Sequence, residues 1–153
     1  MSIASSRVRI LTLLLFLCIA APFSLRAASA NLHLEVLLVW GTNDQPPPEP
    51  KLKPVEPELA QKLQKAYKWK KYFEVNRKTV KISEGANEQL TMSEHCSLQI
   101  KNLVHERVEV RLIGEGKPVS RHLESLPKGH TLILAGDAKN DTAWFIVLRQ
   151  IKN

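Results

Sequence analysis

Apolar and polar positions alternate with period two over most of the chain from Leu32 onward. That is the spacing of strands with one face in a core. Leu32, Leu34, Val36, Leu38 and Trp40 share one face of the first segment; His33, Glu35, Leu37 and Val39 share the other. The second face turns apolar toward its end, which predicts an internal strand there. Residues 41–44, Gly-Thr-Asn-Asp, close it with turn chemistry. Further strands are predicted over 72–75, 79–82, 90–93, 96–101, 108–113, 119–123, 131–135 and 142–151. Turn clusters at 83–87, 114–118 and 127–129 separate several of them. The parity of the apolar positions flips between Phe73/Val75 and Val80/Ile82, so a tight turn or a bulge is expected around residues 76–78.

The pattern is strongest near the C-terminus. Two apolar runs, 131–135 and 143–148, flank a loop rich in Gly, Asp and Asn, which predicts a hairpin. Residues 144–148, Trp-Phe-Ile-Val-Leu, are apolar on both faces and are the expected centre of the core. Only one stretch has helical spacing. Leu59, Leu63, Ala66 and Tyr67 recur at i, i+4, i+7 and i+8, behind Pro57 and Glu58 and ahead of lysines, predicting a short helix over about 58–68. Before it, residues 45–57 hold six prolines, which forbid a helix or a central strand. That segment is expected to be an extended spacer. The fold class is therefore mainly β: an antiparallel β-sandwich or partly open barrel with one short helix.

The first thirty residues follow a different rule. Arg7 and Arg9 precede an apolar run, 10–21, then Pro22 and the small residues Ala28-Ser29-Ala30. This is the layout of a cleavable signal peptide, with cleavage expected near Ala30 and a domain over 31–153. The expected location is secreted or periplasmic. Cleavage would take three arginines and no acid, lowering the formal charge from +7 to +4. That is ordinary solubility and demands no polyanion. Of two cysteines, only Cys96 would remain, so a disulfide within the mature chain is excluded. Cys96 alternates in phase with Leu98 and Ile100 and is expected to be buried.

The chemistry-bearing residues are few. The stretch 65–73 interleaves Tyr67, Trp69, Tyr72 and Phe73 with lysines, and Arg77, Lys78 and Lys81 follow. Rings among ammonium groups can stack on sugars or bases, or sit at a membrane surface. The ligand-binding residues singled out on this ground are Lys68, Trp69, Lys70, Lys71, Tyr72, Arg77 and Lys78. The competing arrangement has the rings in the core and the lysines snorkelling around them. His33, His95, His105, His122 and His130 lack the tight local spacing of metal ligands, so no metal or other cofactor is expected. Ser120 and His122 share a face of a predicted strand, with Asp137 and Asp141 in a nearby loop, but no nucleophile-elbow motif is present. Asn140-Asp141-Thr142 fits a glycosylation sequon.

The sequence thus predicts an exported, non-catalytic β module acting in protein–protein interaction or envelope structure. Its contact surfaces are expected at an unpaired strand edge, the proline segment, or both. The alternative is a binder of anionic polymer or membrane surface through residues 65–81; a hydrolase ranks third. The expected partner is another exported or envelope protein, and no specific nucleic-acid recognition is expected.

Overall fold

The computed structural model describes residues 31–46, 48, 50–136 and 140–151; the leader expected over 1–30 lies outside them. The described chain is mainly β, with two antiparallel sheets and one short helix. Strands β1 (Leu32–Thr42), β2 (Lys53–Pro54), β3 (Lys71–Ile82), β8 (Thr131–Ala135) and β9 (Ala143–Gln150) form one sheet, in the order β2-β3-β1-β9-β8. The second holds β4 (Asn87–Ser93), β5 (Cys96–Asn102), β6 (Arg107–Gly114) and β7 (Lys117–Ser125) in sequence order. Helix α1 (Pro57–Ala66) covers the outer face of the five-stranded sheet.

The alternation in β1 decides the layering. Its even positions, Leu32, Leu34, Val36 and Leu38, pack with Ile146 and Leu148 against Leu98, Ile100, Val108 and Val110 of the second sheet. Its odd positions, Leu37 and Val39, pack with Phe145 and Val147 against Leu59 and Leu63 of α1 and against Val55. The five-stranded sheet therefore lies between two apolar cores, which is why β1 and β9 are apolar on both faces. Phe145, Ile146, Val147 and Leu148 are all buried, as the hairpin pattern predicts. Trp144 differs: it shares the face of Ile146 and Leu148 but is 44% exposed and belongs to neither core cluster, and its ring lies 6.5 Å from that of Trp40.

The two strands expected over 72–75 and 79–82 are one continuous strand. The pairing of β1 with β3 passes from Leu38↔Asn76 to Val39↔Glu74, so Val75 is a bulged residue. One extra residue reverses the facing of everything after it, and this accounts for the parity flip without a turn. The proline segment contributes one short edge pairing, Lys53↔Glu74 and Pro54↔Phe73. The Val55 N–H then donates to Tyr72 O at 3.1 Å, and its side chain enters the outer core. Helix α1 ends at Ala66, with Tyr67 already extended. Gly41 permits a close approach: a Cβ there would lie 2.9 Å from a Phe145 ring carbon and 3.1 Å from Tyr72.

Candidate functional site

The basic–aromatic stretch does not form one surface. Chain reversal after α1 turns Tyr67, Trp69 and Tyr72 onto Phe145, with ring centroids 4.7, 5.7 and 5.7 Å away. Tyr72 is buried, and its hydroxyl donates to Leu63 O at 3.2 Å. Burial pushes its phenol above the ordinary value. The Trp69 indole N–H donates to Asp141 O at 2.8 Å. Lys68 pairs with the Asp141 carboxylate at 2.6 Å and lies 5.1 Å from the Trp69 ring centroid. That contact holds the Asp141 carboxyl below its usual value. Lys68, Trp69 and Asp141 thus tether the turn before β9 to the segment after α1.

The other residues of the stretch point elsewhere. Lys70 is exposed, and its backbone N–H donates to Asn43 Oδ1. Lys71 is half-buried opposite Thr42. Arg77 and Lys78 are neighbours on a strand and so lie on opposite faces of β3. Arg77 faces α1, whereas Lys78, opposite Val36, lies on the face toward the second sheet.

Arg77 belongs instead to the densest charge cluster of the described residues. It joins Arg149 of β9 with three carboxylates: Glu35 on β1, Glu74 on β3 and Glu56 just before α1. Arg77 donates through Nη1 to Glu35 at 2.5 Å, through Nη2 to Glu74 at 2.7 Å and Glu56 at 3.0 Å, and through Nε to Glu74. Arg149 donates through Nε to Glu35 and through Nη1 and Nη2 to Glu56 at 2.7 and 2.9 Å. Every nitrogen of both guanidinium groups is committed, the fork geometry that arginine supplies and lysine cannot. Hydrogen bonds from Arg149, joined by those from Arg77, hold the Glu56 carboxyl at about 2, far below its ordinary 4.5. The carboxylates raise both arginines further above their usual value, the Glu74 bonds leading for Arg77 and the Glu56 bonds for Arg149.

The cluster clamps the start of α1 to the sheet. Glu56 precedes Pro57 and makes no side-chain cap bond; its carboxylate goes to the two arginines instead. The sequence carried one signal for this arrangement, a charged residue in a strand otherwise apolar on both faces. Glu35 and Arg149 are that case, and they lie directly opposite in the β1–β9 register. Beside the clamp, a shallow concavity of about 150 Å³ is lined by Leu59, Lys62, His130, Thr131, Arg149 and Gln150.

Ser120 and His122 do meet, with Oγ and Nε2 3.0 Å apart on β7. Asp141 does not join them, since it is taken by Lys68; Asp137 lies outside the described residues. Cys96 is half-buried against the inner core, and burial raises its thiol above the ordinary value. Asn140 is exposed in a turn at φ 57°. Among the described residues, no three His, Cys, Asp or Glu side chains converge to hold a metal ion, and no helix is long and apolar enough to cross a membrane. No protein-family model matches the chain, and neither does any curated protein or solved structure.

Proposed function

We propose that this chain is an exported, non-catalytic β-sandwich module that acts in protein–protein interaction or envelope structure. The observation that carries this reading is the outer strand of the five-stranded sheet. Strand β8, Thr-Leu-Ile-Leu-Ala, ends the sheet with one side of its backbone unpaired among the described residues, and it bears no charge. An apolar strand end of that kind is a ready template for another chain. The most elaborate polar cluster, by contrast, spends its donors inside the fold.

The test is recovery of the protein with cross-linked partners from the exported fraction, wild type beside Ala135→Pro and beside a deletion of residues 45–51. That deletion stops short of the buried Val55 and the clamping Glu56. Loss of a specific partner with either change is expected. Retention of every partner in both would overturn the reading. Labelling of Ser120 by a fluorophosphonate probe would overturn the non-catalytic part.

A second reading, binding of an anionic polymer or membrane surface through residues 65–81, is favoured by the exposed Lys65 and Lys70. It requires salt-sensitive retention on heparin that falls when Lys70 and Lys71 become alanine.

A further inference from the structure

Sheet ends tend to carry devices that stop other strands from pairing with them: prolines, charges, bulges or a short length. Among the described residues the two sheets have four ends, and three of them do. Strand β2 has two residues, one of them Pro54. Strand β4 carries Glu88 on the face that includes the inward Leu90, has an irregularity between Thr91 and Ser93, and lends its Met92 carbonyl to Asn76. Strand β7 carries Lys117, Pro118, Arg121 and Glu124, with an irregularity against β6. Among the described residues, only β8 is free of all of these.

The hydrogen-bond phase of β8 fixes what could pair with it. Gly136 N donates to Trp144 O at 2.7 Å, continuing the register Ala135↔Phe145. In an antiparallel ladder, such hydrogen-bonded pairs alternate with non-bonded ones. Leu134 and Leu132 therefore turn their N–H and C=O groups toward β9. Thr131, Ile133 and Ala135 turn theirs outward.

We propose that the partner of β8 is β8 of a second copy, paired antiparallel about a twofold axis at Ile133; the inference rests on the interaction-module reading above. Ile133 then faces Ile133, and Thr131 faces Ala135, so every outward backbone group of the strand finds its complement. The same register sets Leu132 opposite Leu134 as a non-hydrogen-bonded pair, where side chains approach most closely. Leu132 and Leu134 belong to the inner core, so the pairing carries that core from one copy into the next. No charge opposes a like charge along the five residues. Two five-stranded sheets become one continuous sheet, by a self-complementary contact that closes on itself.

Sedimentation equilibrium of the purified protein over about a hundredfold range of concentration tests this, wild type beside Ala135→Pro. The Ala135 N–H points outward and its side chain is exposed, so proline removes a contact of the dimer and none of the β8–β9 ladder. A dimer that Ala135→Pro weakens at least tenfold, with the monomer's unfolding midpoint unchanged, is expected. A protein that stays monomeric throughout, or a dimer that Ala135→Pro leaves intact, overturns the proposal. Should Ala135→Pro fail to fold, Thr131→Cys with Ala135→Cys in a Cys96→Ser chain decides it. Facing Cα atoms in such a pair lie about 5.5 Å apart, within disulfide reach. Oxidation then gives a covalent dimer linked 131 to 135, and no covalent dimer overturns the proposal. A monomer that still recovers a partner from the exported fraction, lost with Ala135→Pro, would leave the module reading standing and remove self-pairing alone.

Discussion

Replacing Glu56 by glutamine isolates the clamp that joins α1 to the sheet. The variant keeps the size of the side chain and removes its charge, and it sacrifices no helix cap because Glu56 makes none. The folded carboxyl titrates at about 2 against an ordinary 4.5. That difference sets a ceiling of about 3.4 kcal/mol on what the charge contributes. The side chain is 44% exposed, so solvent screening lowers the expected contribution to about 1–2 kcal/mol. A folded-state value that is depressed means stability present above pH 4.5 and lost as pH falls toward 2. Glu109 is also held at about 2, chiefly by Arg121 and then Arg111, but it is common to both proteins and cancels in the difference. Urea unfolding of wild type and Glu56→Gln at pH 7, 4 and 2.5 reads the effect directly. The gap is expected to be about 1–2 kcal/mol at pH 7 and to shrink below about 0.5 kcal/mol at pH 2.5. A gap that is the same at every pH, or absent at pH 7, would refute the clamp.

Other expectations follow from the outer core. Gly41→Ala should destabilise by about 1–3 kcal/mol, since its Cβ would press on the Phe145 and Tyr72 rings; thermal unfolding checks it. Tyr72→Phe removes a buried hydroxyl that donates to Leu63 O and should cost about 1 kcal/mol, read by urea titration. Cys96 should react with a thiol reagent more slowly in the folded protein than in urea, because burial keeps it protonated and covered. Equal rates would contradict its place at the inner core.

Period-two alternation, turn residues and the two-faced run at 144–148 were enough to place the hairpin of β8 and β9, and the i, i+4 spacing behind Pro57 placed the helix, each to within two residues. These signals are local, and each strand reports its own burial. The sandwich-like layering is also foreshadowed in β1, whose second face turns apolar where α1 covers it. What the sequence could not show depends on partners far along the chain. The bulge at Val75 is defined by what β1 places opposite it. Trp144 looks like core by composition, yet nothing in its own residue type says that it lies outside both core clusters. The clamp brings Glu35 to Arg149 across 114 positions, and no spacing rule reaches that far. The aromatic stretch admitted two arrangements, rings packed in the core or rings on a binding surface. Phe145 gives Tyr67, Trp69 and Tyr72 a buried ring to pack on, a neighbour that no local spacing announces.

Backbone amide exchange at two protein concentrations tests the central proposal, that β8, a sheet end unpaired among the described residues, pairs with a second copy. In dilute solution Leu132 and Leu134 should be protected while Thr131, Ile133 and Ala135 exchange quickly, and β1 and β9 should be the slowest of all. At high concentration the three fast amides should slow together. Equal protection of all five residues at low concentration, or three amides that stay fast however concentrated the protein, would contradict it.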